Sequence, residues 1–386
     1  DICIVGAGGT GTAAAIQAAD MGLKAVVIER LGGYGGSFIG TEGMTGLETK
    51  YTSGENCPVF AGAYNPTAPY GVKNALNTCL NYHHWIPSHK LHEAYFGQMK
   101  EIIDWLEGHG IVFADSIAIG AGPKIWHVYD KGNDASPGGH FMQCFGAEAE
   151  RLGTEARFNT FGRQLIMENG KVVGLLAEDE KGNVIKVEAP VVSIGTGGYA
   201  NNHGVSETKN VNIQALGMEC RDGDDVKMAK AAGAAMAEGL GTVMWCGPVT
   251  LGAVTATWTT DAYSAGVQPT LWLNQNGERF CKEDLWIDDF AGAGIAVRNQ
   301  DRTFALFTET DMKRWEAQGP DGQVFSFGTS GTPLAKARED LMNAEGCHVG
   351  DGYYTTCGGI KVNEKTQILD EEGQVIPDLY AGGSAA

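Results

Sequence analysis

Residues 2–29 read ICIVGAGGTGTAAAIQAADMGLKAVVIE. The stretch begins with a short apolar strand, passes through a glycine turn into an Ala-rich helix that continues to about Met21, and ends with a second apolar strand, AVVIE. This order of elements is a βαβ unit, which predicts a parallel sheet with a right-handed crossover.

The glycine turn has the pattern GxGxxG, formed by Gly6, Gly8 and Gly11. In such a turn the first glycine permits the tight bend, the second lets the backbone approach a pyrophosphate, and the third lets helix and strand pack closely. The N-terminus of the helix offers free N–H groups and a partial positive charge to phosphates. Glu29, at the end of the second strand, can accept hydrogen bonds from ribose hydroxyls. We therefore predict a dinucleotide site; the alternative is an ordinary glycine-rich turn of an α/β fold.

Composition limits the class of protein and its partners. The 386 residues suit two domains that share an interface, and a hydrophobic share of 43% with 19% charged residues argues against disorder. A formal charge of −19 argues against nucleic acid and anionic membrane surfaces as partners. No apolar run reaches the roughly 18 residues expected of a membrane helix.

Nine cysteines are scattered along the chain without a CxxC pair, so no metal site is predicted. Most are expected to be small buried hydrophobes. This pattern favours a reducing compartment, and a cytoplasmic location is the first expectation. An exported or cell-envelope form is the alternative, because Asp1 stands almost inside the first strand and a preceding signal would not be seen.

Further elements follow from periodicity and turn signals. We predict a long loop over 32–46, helices over 91–108, about 139–152 and 224–237, a hairpin over 163–179 with an Asn-Gly turn, and a strand over 191–194. The middle of the chain is rich in Trp and less regular, so we interpret residues 239–349 as a domain inserted into the first.

The loop after Glu29 is long and rich in Gly, Ser and Thr, which suits a flat ligand lying along the backbone. From here the chain resembles the flavoprotein subunits of fumarate reductases and succinate dehydrogenases, a superfamily that includes 3-ketosteroid dehydrogenases. Further matching segments follow in the family's order: SIGTGG at 193–198, GD…MA…GA at 223–234, GERF with a Glu at 277–283, CGG at 357–359 and GQVIPDLYAGG at 373–383.

The resemblance implies an α/β fold: a Rossmann-like FAD-binding domain over 1–238 and 350–386, and an inserted α+β capping domain over 239–349. The active site is expected between them. The implied cofactor is FAD, with hydride transfer through flavin N5 to or from a carbon–carbon bond of a small organic substrate. An electron donor or acceptor of unknown identity is also implied. The family continues with a last helix after the position of Ala386, so we expect this domain to be incomplete here.

The cofactor contacts are predicted from the motif and the resemblance together. Gly6, Gly8, Gly11 and Glu29 are expected to hold the ADP half of FAD. The remaining contacts are expected from the long loop and the matching segments: Gly9, Arg30, Gly36, Ser37, Thr41, Glu42, Gly43, Thr196, Gly197, Asp224, Gly358 and Gly382.

Two departures from the family concern its substrate clamps. The family's proton-donating Arg lies a few residues after the RFxxE segment, but residues 284–290 read DLWIDDF. The family's His-His-Thr run, which holds a substrate carboxylate, is matched here by Tyr354-Thr355-Thr356. A dicarboxylate would lose its bidentate Arg partners, so the prediction moves away from fumarate itself.

The predicted catalytic residues are Tyr354, Tyr353 and Tyr263, because a Tyr with a tuned pKa can act as a general acid. Ketosteroid dehydrogenases of this superfamily rely on such tyrosines; the alternative is that these side chains only pack. Two wider alternatives stay open: a fumarate-type reductase with a rearranged acid clamp, and a non-catalytic flavin-binding subunit or sensor.

Two weaker signals complete the prediction. His127 or His140 is a candidate to face the substrate, although the resemblance gives neither support. The acidic pair Asp224-Asp225 is interpreted as solvated surface or helix-start charge.

Overall fold

A computed structural model describes residues 1–52, 71–117, 125–133, 136–206, 209, 213–215, 221–251, 256–257, 271–283, 285, 289–306, 310 and 348–386. The chain forms two compact units. The first contains Asp1–Gly197, Asp224–Glu238 and Gly358–Ala386, and the second contains Gly198–Gly223 and Gly239–Cys357. The sequence-based boundaries place 198–223 in the first domain; those boundaries remain a prediction.

The helices of the described residues are α1 (Gly9–Asp20), α2 (Val72–Tyr82), α3 (His89–Gly97), α4 (Met99–Gly108), α5 (Pro137–Arg151), α6 (His203–Ser206), α7 (Asp224–Ala231) and α8 (Phe290–Arg298). The strands are β1 (Ile2–Val5), β2 (Ala25–Ile28), β3 (Gly43–Thr45), β4 (Phe113–Ile117), β5 (Trp126–Tyr129), β6 (Glu155–Arg157), β7 (Thr160–Glu168), β8 (Lys171–Asp179), β9 (Val184–Glu188), β10 (Val191–Ile194), β11 (Ile213–Ala215), β12 (Thr242–Leu251), β13 (Ala256–Thr257), β14 (Leu271–Asn274), β15 (Thr303–Leu306), β16 (His348–Cys357), β17 (Gln367–Leu369) and β18 (Val375–Ala381).

A six-stranded sheet in the order β17-β18-β10-β1-β2-β6 is the centre of the first unit. Strands β18, β10, β1, β2 and β6 run parallel, and β17 is an antiparallel edge strand. Cys3, Val192 and Leu379 in its middle strands are fully buried, as expected of a parallel sheet covered on both faces. The predicted α/β class with a parallel sheet is confirmed.

The predicted hairpin is confirmed as β7 and β8, which continue into β9 as a three-stranded antiparallel sheet. Its turn residues Asn169 and Gly170 have φ values of +51° and +77°. Positive φ at both central residues is the requirement of a type I′ turn, which the Asn-Gly pair satisfies. Val172 and Leu175 of β8 belong to the same buried cluster as the central strands β10 and β18.

Three predicted elements differ from the structure in their bounds. The helix predicted over 91–108 is two helices, α3 and α4, with Gln98 between them. The helix predicted over 224–237 ends at Ala231, because Gly233 turns the chain and Ala235 N–H then donates to the carbonyl of Leu369 (2.8 Å). The predicted loop over 32–46 contains a short 3-10 helix, Gly36–Gly40, and strand β3.

The second unit has a mixed sheet in the order β11-β16-β12-β13 and a separate pair, β14 and β15. Strands β12 and β16 pair antiparallel from Thr242↔Cys357 to Leu251↔His348. Val243 of β12 packs with Trp272 of β14 and with Ala293 and Val297 of α8 in a buried core. This unit therefore has a hydrophobic core of its own.

Candidate functional site

Three parallel strands of the first unit end in glycine-rich segments at one edge of the sheet. Strands β18, β10 and β1 are neighbours, and they are followed by Gly382, Gly195 and Gly6. The segments are joined by backbone hydrogen bonds from Gly195 N–H to Val5 O (2.8 Å) and from Gly382 N–H to Ile194 O (3.2 Å). In open α/β sheets, ligands bind outside the carboxyl ends of the strands, so this edge is the candidate site.

The turn after β1 requires glycine at two positions. Gly6 has φ +102°, and a Cβ there would collide with the carbonyl of Gly195. A Cβ on Gly11 would collide with the carbonyl oxygen of Gly6. Helix α1 begins directly after Gly8 without a side-chain cap, which leaves the N–H groups of its first turn directed at the site. A phosphate is the expected partner for those groups.

Glu29 is fixed beside this turn by two short hydrogen bonds. Its carboxylate accepts from Ala7 N–H (2.6 Å) and from Leu31 N–H (2.7 Å), and only 6% of the residue is exposed. Burial raises the pKa of Glu29, while the two amides oppose that rise. The structure thus brings Glu29 to the glycine turn, where the sequence predicts a ribose contact.

Arg30 and Asp224, both predicted cofactor contacts, are brought together although they are distant in the chain. The guanidinium of Arg30 lies 3.4 Å from the Asp224 carboxylate and over the ring of Phe161, 5.4 Å from its centre. Phe161 was not predicted, and no motif marks it. It is near the site because Thr160, the first residue of β7, donates its N–H to Glu29 O (2.8 Å).

The predicted loop contacts begin directly against the glycine turn. Gly35 N–H donates to Ala7 O (3.0 Å), and Gly35 pairs with Gly8 as a parallel bridge. Gly36 follows in left-handed backbone (φ +56°) beside Gly8, and the ring of Phe38 covers Gly9. The first part of the loop is therefore laid along the turn, and the cofactor contacts at Gly9 and Gly36 remain predictions.

Farther along the loop, the predicted residues differ in exposure. Ser37 and Glu42 are exposed, Thr41 is half-buried, and Gly43 is buried beside β5. The Thr41 hydroxyl donates to Phe38 O (2.7 Å), which closes the 3-10 helix. The structure accounts for Thr41 and Gly43 as loop-shaping residues, and the cofactor roles of all four remain predictions.

Thr196 and Gly197 follow β10 at the same edge. The hydroxyl oxygen of Thr196 is buried, and within the described residues it has no hydrogen-bond partner. Gly197 has φ +86°, and Thr196 backbone borders Gly6. A buried hydroxyl without a partner beside a phosphate-binding turn fits a polar ligand that is bound there.

The C-terminal segment closes the other side of the glycine turn. The side chain of Thr10 packs against Gly382 and Gly383. Gly358 directly follows β16, and the next residues are tied to the C-terminal segment by a hydrogen bond from Ile360 N–H to Ala385 O (2.8 Å). Thr10 was not predicted, because it occupies a variable position of the GxGxxG pattern.

For the three predicted catalytic tyrosines, the structure describes only the backbone of Tyr353 and Tyr354. Tyr353 lies on β16, where its backbone pairs with Ala215 of β11 and Trp245 of β12, and Tyr354 is the next residue of that strand. Their side chains and the whole of Tyr263 lie outside the described part of the structure. The three catalytic roles therefore stay predictions.

His127 has a structural environment. It is fully buried, its Nδ1 donates to Ile125 O (3.0 Å), and its Nε2 accepts from the Thr49 hydroxyl (2.7 Å). Burial lowers the pKa of His127, which favours the neutral ring that this bonding needs. The structure thus gives His127 a packing role and no exposure to a substrate.

Asp225 corrects the interpretation of the acidic pair. Asp224 is partly exposed, but Asp225 is completely buried, and its carboxylate oxygens have no hydrogen-bond partner within the described residues. Burial raises the pKa of Asp225 to about 7. Asp225 is therefore not solvated, whereas the helix-start alternative holds for the position of both residues, which lie in the first turn of α7.

Within the described residues, neither a metal-binding cluster nor a membrane-spanning helix is found. These residues contain no group of three or more His, Cys, Asp or Glu side chains placed to hold a metal ion. None of their helices has both the length and the apolarity needed to cross a bilayer.

The chain belongs to the FAD binding domain family, whose model matches residues 1–386. FAD is therefore its cofactor, and the predicted family resemblance is confirmed. Vinyl phenol reductase of Lactiplantibacillus plantarum is 24% identical, with 100% of this chain and 90% of that protein aligned. Fumarate reductase (cytochrome) of Shewanella frigidimarina is 23% identical, with 99% of this chain and 71% of that protein aligned.

Solved structures support the same fold. The open conformation of a flavocytochrome c3 fumarate reductase superposes with a TM-score of 0.71 at 19% identity, over 100% of this chain and 72% of that one. A 3-ketosteroid-Δ4-(5α)-dehydrogenase from Rhodococcus jostii RHA1 superposes with a TM-score of 0.66 at 20% identity, over 100% of this chain and 90% of that one. At these identities the likeness shows a shared fold.

Proposed function

We propose that this chain is an FAD-dependent reductase of a carbon–carbon double bond in a small organic substrate that has no dicarboxylate group. The observation that carries the proposal is the sheet edge of the first unit. There the turns after β1, β10 and β18, together with Glu29, form one continuous binding edge for an extended dinucleotide.

The residues at this edge bind and orient the cofactor. The free N–H groups at the start of α1 would donate hydrogen bonds to the pyrophosphate, and the Glu29 carboxylate would accept from the ribose hydroxyls. The Thr196 hydroxyl is available to a polar atom of the bound group. When bound, reduced FAD supplies a hydride from N5.

The substrate class follows from the chain's own side chains. A dicarboxylate needs cationic partners, yet residues 284–290 contain no Arg and the 354–356 run is Tyr-Thr-Thr. Tyr354 holds a proton for the second carbon of the double bond, as a positioned general acid does. The name of the vinyl phenol reductase relative supports an aryl alkene as the first substrate to test.

The test compares two substrates under anaerobic conditions. The purified protein is loaded with FAD, its visible spectrum is recorded, and oxidation of reduced methyl viologen is followed with 4-vinylphenol or with fumarate. We expect 4-vinylphenol to be turned over at least about tenfold faster in kcat/KM, a difference that one lost charged pair accounts for. A protein that takes up no FAD would refute the proposal.

The alternative is a fumarate-type reductase with a rearranged acid clamp. The likeness to the Shewanella frigidimarina fumarate reductase favours it. Faster turnover of fumarate than of 4-vinylphenol would support this alternative and refute the substrate class proposed above. Bound FAD that exchanges electrons with neither substrate nor dye would point to a non-catalytic flavin-binding subunit.

A further inference from the structure

Tyr199 lies in the second unit, two residues after the chain leaves the first. It is fully buried. Its hydroxyl donates to the carbonyl of Cys357 (2.5 Å) and accepts from the N–H of Gly241 (2.7 Å). A buried phenol that bonds two separate backbone segments fixes the distance between them.

The two bonded segments are the ends of paired strands. Thr242 and Cys357 are the last pair of the β12–β16 ladder, so the Tyr199 hydroxyl bridges a backbone donor and a backbone acceptor where the ladder stops. The carbonyl of Gly241 also accepts a hydrogen bond from Arg298 of α8. Gly241 is thus held through its N–H by Tyr199 and through its carbonyl by Arg298.

The remaining ends of the unit meet at the same residue. The backbone of Gly223 lies against the Tyr199 side chain. Asn201 N–H donates to Arg221 O (2.8 Å), and Asn202 N–H donates to Tyr199 O (2.8 Å). The unit consists of Gly198–Gly223 and Gly239–Cys357, so all four of its chain ends are gathered around Tyr199.

We propose that Tyr199 is a positioning residue: its hydroxyl locks the four chain ends of the second unit and thereby fixes β16, the strand that carries Tyr353 and Tyr354. Removing the hydroxyl leaves Cys357 O and Gly241 N–H without this partner in a buried place, which loosens the end of the ladder. The kinetic part of the inference rests on the proposed function, whereas its structural part does not.

The test uses the FAD-loaded protein and the variant Tyr199→Phe, which keeps the ring and removes the two hydrogen bonds. Hydrogen–deuterium exchange is measured on peptides that contain Gly241 and residues 350–357, and kcat and KM are measured with the best substrate. The matched control is Tyr34→Phe, because the Tyr34 hydroxyl is buried and, within the described residues, has no hydrogen-bond partner to lose.

We expect exchange in those peptides to become about tenfold faster in Tyr199→Phe and to stay unchanged in Tyr34→Phe. We expect kcat to fall roughly ten- to hundredfold, while the substrate KM and the FAD affinity change less than about twofold. A role limited to general stability would instead raise exchange throughout the unit and reduce FAD content and kcat together.

Two results would overturn the inference. Unchanged exchange near Gly241 would show that the hydroxyl does not lock the ladder. Faster exchange with an unchanged kcat would show that the lock does not position the reacting residues. If the unmodified protein turns over no substrate, the proposed function fails. The exchange measurement still tests the lock, because faster exchange near Gly241 supports it and unchanged exchange refutes it.

Discussion

The sheet edge of the first unit and the β16 region of the second unit use different parts of the chain for function. At the sheet edge the backbone forms the site: glycines let segments approach closely, and the first N–H groups of α1 have no side-chain cap, which leaves them for a ligand. On β16 the predicted chemistry depends on tyrosine hydroxyls, on a strand whose end is held by the Tyr199 hydroxyl. Adding atoms should therefore destroy the first region, while removing single atoms should impair the second.

The largest effect is expected for Gly11→Ala. The added Cβ would collide with the carbonyl oxygen of Gly6, and both atoms belong to the backbone of the turn, so neither can move away cheaply. We expect the purified variant to retain no FAD and to unfold at a lower temperature. The absorbance ratio of flavin to protein measures the first effect, and thermal unfolding measures the second.

Gly97→Ala is the matched control for added bulk. Gly97 ends helix α3, and an added Cβ there meets open space. FAD content and unfolding temperature should match those of the unmodified protein. Full FAD content in Gly11→Ala would contradict the contrast between the two regions, because FAD binding at the sheet edge would then not depend on a close approach of backbone segments.

The second prediction concerns the other side of the comparison. Tyr354→Phe should lower kcat by about 10² to 10⁴, the usual contribution of a general acid, and should leave FAD content unchanged. Tyr353→Phe is measured beside it, because Tyr353 is also a predicted catalytic residue on the same strand and the two roles must be separated. Kinetics with reduced dye measures both variants. Equal kcat in Tyr354→Phe and the unmodified protein would remove Tyr354 from the proposed mechanism.

The same contrast explains what could be predicted from the sequence. Gly6, Gly11 and Glu29 could be predicted because their roles follow from local requirements: a tight turn, a close helix–strand contact and the end of a strand. Phe161 and Tyr199 could not, because only long-range pairing brings them to their partners. A short motif reflects local requirements of the backbone, whereas the partners of a side chain depend on the whole fold.

The C-terminal end of the helix predicted over 224–237 was wrong for a related reason. Its apolar spacing is helical, but Gly233 turns the chain, and Ala235 and Ala237 then bond to Leu369 and Gly359. These partners lie more than a hundred residues away in the sequence. Periodicity alone contains no information about such pairing, and tertiary contacts override it.

At the sheet edge one side chain, that of Glu29, supports the backbone of the glycine turn, and the third prediction tests this support. Glu29→Gln keeps the shape of the residue but replaces one acceptor oxygen by an NH₂ group, which faces the amide of Ala7 or Leu31 without bonding it. We expect FAD affinity to fall by roughly ten- to hundredfold. Quenching of FAD fluorescence on titration measures it, and the exposed Glu188→Gln should bind FAD as before.

The smallest effect is expected for Asp225→Asn, which tests whether a buried ionisable side chain limits the stability of the first unit. The pKa of Asp225 is raised by burial from 3.8 to about 7, so the folded protein binds this proton more tightly than the unfolded chain. Between about pH 4 and pH 7 the unfolded carboxyl loses its proton while the folded one keeps it. Stability from this group therefore falls as pH rises through that range and is level above it.

Asp225→Asn removes this titration. The variant should unfold at about the same temperature as the unmodified protein near pH 4, and about 2–6 °C higher at pH 8. Thermal unfolding of the FAD-loaded proteins between pH 4 and pH 8 gives the difference curve, and Glu180→Gln at an exposed turn position corrects for the lost charge. A difference that does not change with pH would mean that a neighbouring group stabilises the charged form of Asp225. Side-chain interactions would then contribute more to the sheet edge than its backbone geometry indicates.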